Sequence, residues 1–269
     1  MKKKRVIPVL LLKNGNLVQS RNFSVHQNIG NPMMSVKRFS EWNADELIYL
    51  DITRDGKYDL RRDDLNTYNQ NNFKRIIDTI SKNTFMPLTV GGKIKSVKDV
   101  ETYLRICADK VCINSEAFKN KKLIKEASYE FGSQCIVSSI DVKKINNNYH
   151  VFVDNGKTNT EYLVTEWIKQ VQQLGAGEIL LNSIDQDGRA IGYDLELIEL
   201  VEKVIEVPLV ICGGAGSNEH FKEAISLSCV DAVAASNFFH HKDQSVYLLH
   251  EFLYNEGLNV RKPNFFKIK

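Results

Sequence analysis

Thr89-Val90-Gly91-Gly92 followed by Asp109-Lys110-Val111-Cys112-Ile113-Asn114-Ser115, and Ile211-Cys212-Gly213-Gly214 followed by Asp231-Ala232-Val233-Ala234-Ala235-Ser236, decide the fold. The second pair of segments repeats the first in register: 122 residues separate Asp109 from Asp231 and also Gly92 from Gly214. Working outward, Asp45-Glu46-Leu47-Ile48 answers Gly177-Glu178-Ile179-Leu180, and Leu11-Leu12-Lys13 answers Asp141-Val142-Lys143. In the last pair a leucine stands where the other half has an aspartate. Short apolar runs near 5–12, 46–52, 86–90, 109–113, 134–141, 177–183, 208–212 and 230–235 read as strands. Their near-continuous apolarity suits parallel strands covered on both faces. Helical patterns near 33–43, 70–83, 96–107, 121–131, 160–175, 194–205, 217–228 and 243–256 alternate with them, and Ser217 is an N-cap candidate. Eight strand–helix units with an internal half-repeat predict an α/β fold, a single (β/α)8 TIM barrel over 1–269. The half-barrels are about 1–132 and 133–256, and a basic, aromatic tail at 257–269 is expected to pack loosely.

At 269 residues the chain has the length of one such barrel. The 43% apolar and 26% charged content is that of a globular protein with a real core. A net charge of +3 without interleaved aromatic and basic residues predicts no nucleic-acid partner, and no run approaches a membrane span. Met1-Lys2-Lys3-Lys4-Arg5 before Val6–Leu12 mimics a signal peptide only superficially, because the apolar run is short. It reads as a solvated entry into the first strand of a cytoplasmic protein. Cys107, Cys112, Cys135, Cys212 and Cys229 are scattered, with no C-x-x-C pair, so neither a metal site nor a disulfide framework is expected. No cofactor motif is present. Residues 13–31 and 54–69 read as long loops and 143–159 as a hairpin. All three follow strands, on the face where barrels build their sites.

Glycine at a strand end lets the backbone approach an oxyanion and present its N–H groups. Gly91-Gly92 and Gly213-Gly214 both do so, and Asn114-Ser115 and Ala235-Ser236 lead from neighbouring strands into helix starts that favour phosphate. The phosphate-site candidates are therefore Gly92, Lys93, Asn114, Ser115, Gly188, Gly213, Gly214, Ala235 and Ser236. Lys93, where the second half has Ala215, either clashes with a phosphate or salt-bridges one. Two cradles imply a phosphorylated small molecule with a phosphate at each end. Asp51, Asp141, Asp185 and Asp187 lie at or just past strand ends, and Asp141 and Asp187 are the better acid–base candidates. Proton transfer on both sides of a ligand wants carboxylates on opposite walls, and the repeat gives Asp141 only Leu11 as its partner. At the other rim Arg5, Glu46, Lys110 and Glu178 each open a strand. Inward-facing charges there must pair, and two cations with two anions fit a closed ring, which taken alone also reads as a stability feature.

Asp45-Glu46-Leu47, Leu50-Asp51-Ile52-Thr53, Thr89-Val90-Gly91-Gly92, Asp109-Lys110-Val111, Gly175-Ala176-Gly177-Glu178 and Ser183-Ile184-Asp185-Gln186-Asp187-Gly188 resemble the cyclase subunit of imidazole glycerol phosphate synthase along essentially the whole chain. The resemblance implies a glutaminase partner, forming a heterodimer at the N-terminal barrel face, and ammonia passing along the axis. It places the gate on Arg5, Glu46, Lys110 and Glu178, docking on Asp109 and Gln134, and a channel-lining threonine on Thr89. The two catalytic aspartates fall on Leu11 and Asp141, a loop lysine on Gln19, and the last glycine of the first cradle on Lys93. Ammonia handling is kept while cyclase residues are replaced. With Val9-Leu10-Leu11-Leu12-Lys13-Asn14-Gly15, this is similar to a divergent branch associated with surface-polysaccharide (lipopolysaccharide) biosynthesis. That branch implies a further partner, an ATP-dependent sugar amidotransferase making acetamidino groups. Three readings follow: an ammonia-conducting barrel for sugar amidination, an imidazole glycerol phosphate synthase cyclase using Asp141 and Asp187, and a non-conducting scaffold that activates a glutaminase.

Overall fold

The computed structural model describes residues 2–30, 32–54, 73–82 and 86–264. Eight parallel strands close on themselves: β1 (Arg5–Lys13), β4 (Leu47–Asp51), β5 (Leu88–Gly91), β6 (Lys110–Ile113), β7 (Ile136–Ile145), β10 (Glu178–Ser183), β11 (Leu209–Cys212) and β12 (Ala232–Ala235). Parallel pairing of β12 with β1 and of β7 with β10 completes the circle. The predicted barrel is the observed one. Helices α1 (Pro32–Glu41), α2 (Phe73–Ser81), α3 (Val97–Ile106), α4 (Ser115–Lys119), α5 (Lys122–Phe131), α6 (Val164–Gln173), α7 (Leu195–Glu202), α8 (Asn218–Ile225) and α9 (Ser245–Asn255) surround it. The buried residues of α2 (Phe73, Ile76, Ile77, Ile80) and of α6 (Val164, Trp167, Ile168, Val171) recur at i, i+3, i+4 and i+7, one apolar stripe facing the sheet. Ser96 and Ser217 cap α3 and α8 through their hydroxyls.

Strand alternation sorts the core in two. Val6, Leu10, Leu47, Tyr49, Val90, Val111, Ile179 and Val233 point outward into one large cluster with the helices. Ile7, Val9, Ile48, Cys112, Val137, Leu180, Val210, Ala232 and Ala234 form a separate cluster along the barrel axis. The same parity points Arg5, Glu46, Lys110 and Glu178 inward at the bottom and Leu11, Asn114, Asp141 and Asn182 inward at the top. The half-repeat also appears in the hydrogen bonding. The Leu88 amide donates to Asp109 Oδ2 (2.8 Å), and the Leu209 amide donates to Asp231 Oδ2 (3.0 Å).

Three expectations are corrected and one is extended. The segment expected as a loop at 13–31 instead holds β2 (Asn16–Arg21) and β3 (Val25–Gly30), an antiparallel ribbon continuing β1. The expected hairpin at 143–159 is present, β7 turning into β8 (Asn148–Val153) at Asn146-Asn147, both with positive φ, and β9 (Thr158–Leu163) extends it into a meander. The helix expected from 160 starts at Val164, because 158–163 pairs with β8. The tail is not loose through Arg261. Val260 bridges Lys4, and Arg261 Nε lies 3.1 Å from Asp45 Oδ1. The expected loop at 54–69 lies outside the described residues beyond Arg54.

Candidate functional site

The strands' C-terminal ends surround a pocket of about 1100 Å3 whose walls include Leu11, Asp51, Gly92, Lys93, Asn114, Ser115, Asp141, Asp187, Gly188, Gly213, Gly214, Ala235 and Ser236. The candidate phosphate and acid–base residues therefore share one cavity, except Asp185. Its carboxylate accepts from the Lys144 amide (2.8 Å) outside those walls. The β2–β3 ribbon arches over the pocket. Ser20 Oγ and the Phe23 amide both donate to Asp187 Oδ2 (2.8 and 3.1 Å), and Asn237 exchanges hydrogen bonds with the Ser20 backbone. Gln19 is turned away from the walls and donates to Gln27 Oε1 (2.8 Å).

Asp141 is 5% exposed and takes two amide donors, Asn114 Nδ2 (2.8 Å) and Asn182 Nδ2 (2.9 Å). Burial raises its pKa to about 6, with the negative charge of Asp187 adding to the rise and the two amides opposing it. Burial likewise raises the Asp187 carboxyl, against its bonds from Ser20 and Phe23. These two carboxylates sit on one side of the cavity, since Asp187 follows β10, the neighbour of β7. In the circular strand order β1 is four strands from β7 in either direction, so Leu11 faces Asp141 across the axis. The position facing Asp141 thus carries no ionisable side chain.

The two glycine corners, Gly92 with Ser115 and Gly213-Gly214 with Ser236, also lie across the axis from each other. Gly92, Gly213 and Gly214 have φ near +100°. A Cβ on Gly92 would lie 2.2 Å from the Asp51 carbonyl oxygen and one on Gly214 1.9 Å from that of Gly192, so both turns require glycine. Lys93 holds a left-handed φ of +58°, and its Nζ lies 3.2 Å from Asp51 Oδ2. The helix starts expected beside the corners are short: five residues in α4 and a 3-10 turn at Asn237–His240.

At the opposite mouth the four inward charges form a closed ring. Arg5 donates to Glu46 Oε2 (2.7 Å) and Glu178 Oε1 (2.5 Å), while Lys110 donates to Glu46 (2.9 and 3.0 Å) and Glu178 Oε2 (2.7 Å). Thr89 Oγ1 donates to Glu46 Oε1 at 2.6 Å, an oxygen it shares with Lys110. Asp109 and Gln134 precede β6 and β7 on this same face. Between ring and pocket floor, which reaches Val9 and Cys112, the axis is lined by Ile7, Ile48, Val137, Leu180, Val210, Ala232 and Ala234.

The profile of a family described as histidine biosynthesis protein matches residues 5–244. The chain belongs to this family. It is 40% identical over 259 residues to the imidazole glycerol phosphate synthase subunit HisF of Hydrogenobaculum sp. (strain Y04AAS1), covering 96% of this chain and 98% of that protein. Subunits of the same name from Wolinella succinogenes and Bacillus cereus (strain G9842) are each 41% identical with the same coverage. Among the described residues no helix is long and apolar enough to cross a membrane, and no group of three or more His, Cys, Asp or Glu side chains is placed to hold a metal.

Sequence reasoning missed Asn182, Ser20 and Asp154. Asn182 carried a signal, since it is the inward residue of β10 level with Asp141. Ser20 and Asp154 carried none, because their contacts join segments distant in sequence.

Proposed function

We infer that this member of the family is an ammonia-conducting barrel within a glutamine-dependent amidotransferase, supplying nitrogen for an acetamidino group on a nucleotide sugar. The observation that carries the reading is the contrast between the barrel's ends: a complete charge ring below, and Leu11 opposite Asp141 above. The barrel receives ammonia from a glutaminase bound at the Asp109 and Gln134 face. The ring of Arg5, Glu46, Lys110 and Glu178 gates entry, and Thr89 lines it. Beyond the ring the axis is aliphatic. Neutral ammonia crosses such a lining at modest cost, whereas ammonium would leave its hydration behind at a cost of several kcal/mol. At the top, ring closure needing proton transfer from two sides lacks a carrier at Leu11. The nitrogen therefore passes to an ATP-dependent enzyme that replaces the oxygen of an N-acetyl group.

The test is the purified chain with the phosphoribosyl substrate of imidazole glycerol phosphate synthase and ammonium salt. Expected is no cyclisation above the enzyme-free rate. Reconstitution with a glutaminase and an ATP-dependent sugar amidotransferase should instead yield a glutamine-dependent amidinated sugar. The second reading, a cyclase of histidine biosynthesis working through Asp141 and Asp187, is favoured by the names of the relatives, and efficient cyclisation would establish it. Under the scaffold alternative, Thr89→Trp would leave product formation unchanged. Under the conducting readings it uncouples glutamine hydrolysis from product.

A further inference from the structure

The two glycine corners are twins in sequence but differ in what their polar groups are doing. At the Gly213-Gly214 corner, Ser236 Oγ is buried and has no hydrogen-bond partner among the described residues, and Ala235 beside it brings no competing polar atom. A desolvated hydroxyl without a partner is costly, and such a group marks a place where a ligand atom completes the bonding. At the Gly92 corner the side chains are occupied by the protein itself. Asn114 Nδ2 donates to Asp141. Ser115 Oγ donates to Asn114 Oδ1 (3.2 Å) and accepts from the Asp154 amide (2.8 Å).

The charges complete the asymmetry. Asp154, in the turn between β8 and β9, brings a carboxylate over this corner and holds Lys119 Nζ at 3.0 Å. Lys93, in the glycine-like backbone position, is held by the buried Asp51 at 3.2 Å. Each cation that would attract a phosphate already carries an anion, and each anion would repel one. The turn bearing Asp154 is itself anchored: Asn155 Nδ2 donates to the Ile52 carbonyl (3.2 Å), and Gly156 packs against Phe23 of the ribbon.

We propose that the pocket selects ligands phosphorylated at one end only. Gly213, Gly214 and Ser236 take the phosphoryl group, while Lys93 with Asp51, and Asp154 with Ser115 and Lys119, close the opposite corner to a second one. The proposal deepens the reading of the cavity as a phosphate-ligand site and rests on it. It names the substrate class as a molecule whose far end is an uncharged polar group.

Ribose 5-phosphate and ribulose 1,5-bisphosphate serve as probes, measured by calorimetry on the full chain. Expected for the wild type is a bisphosphate that binds no more tightly than the monophosphate, at one equivalent. In an Asp154→Asn variant, which releases Lys119 from its ion pair, the bisphosphate alone should gain about tenfold. Asparagine suits the left-handed backbone at 154 (φ +54°), and Lys93 is kept because its removal would leave the buried Asp51 carboxylate without that cation. Ser236→Ala should weaken both probes about fivefold. A wild type that prefers the bisphosphate, or an Asp154→Asn variant without the gain, overturns the selectivity proposal alone. Binding of neither probe to either protein removes the phosphate site itself, and the proposal with it.

Discussion

Replacing Lys110 by methionine removes one of the two cations that neutralise Glu46 and Glu178, which are 3% and 5% exposed. Arg5 would remain as the ion-pair partner of both carboxylates in the ring. Stripping one partner from a fully buried pair costs about 3–5 kcal/mol. The Lys110 and Arg5 side chains are 19% and 25% exposed, so water reaches the ring and the lower end, about 3 kcal/mol, applies. For a chain of this size each kcal/mol moves Tm by about 2–4 °C, giving a fall of about 6–12 °C. Scanning calorimetry of the isolated chain reads this directly. Removing Glu178 as well, in Lys110→Met with Glu178→Met, leaves the balanced Arg5–Glu46 pair and should recover at least half the loss. A single variant melting within 2 °C of wild type would show that the ring is effectively solvated. A double variant as unstable as the summed singles would show that charge balance is irrelevant.

Asp141 should titrate near pH 6, visible in the carbon NMR shift of its carboxyl, and a midpoint near 4 would contradict its desolvation. Because the folded pKa is raised from 3.8, its contribution to stability is full below about pH 4 and is lost as pH rises to about 6, a change of about 3 kcal/mol. Burial pushes the thiols of Cys112 and Cys212 up to about 12, so iodoacetamide at pH 8 should leave both unmodified in the native chain although both border the pocket. Rapid labelling of either, read by peptide mass spectrometry, would refute this. Gly92→Ala should destabilise by at least about 2 kcal/mol in urea titration, since it combines an unfavourable φ with a backbone collision at Asp51. An unchanged midpoint would disprove that close approach.

The eight barrel strands were legible because each is buried on both faces and so reads as an unbroken apolar run. The paired glycines and the strand-opening charges were legible because each belongs to a repeated, local pattern. The β2–β3 ribbon was not. Val25–Gly30 is exposed or half-buried throughout, and its sequence, Val-His-Gln-Asn-Ile-Gly, carries no alternation. Residues 160–163 joined the helix prediction because Tyr162 and Leu163 continue the apolar spacing of Val164 and Trp167. Within the site, Asp141 could be found from its strand position. The engagement of Ser115 by Asp154 and of Asp187 by Ser20 spans 39 and 167 residues of chain, and a linear pattern records no such contact.

The Lys4–Val260 bridge and the Arg261–Asp45 contact bring the beginning and end of the described polypeptide together at the gated mouth. The Lys4 amide donates to the Asn259 carbonyl at 2.8 Å, so only a few added residues are needed to join these two segments covalently. The barrel is in that sense a loop of chain with a movable seam. New termini could be opened at the Asn146-Asn147 turn, which projects from the far rim, without cutting a barrel strand pairing.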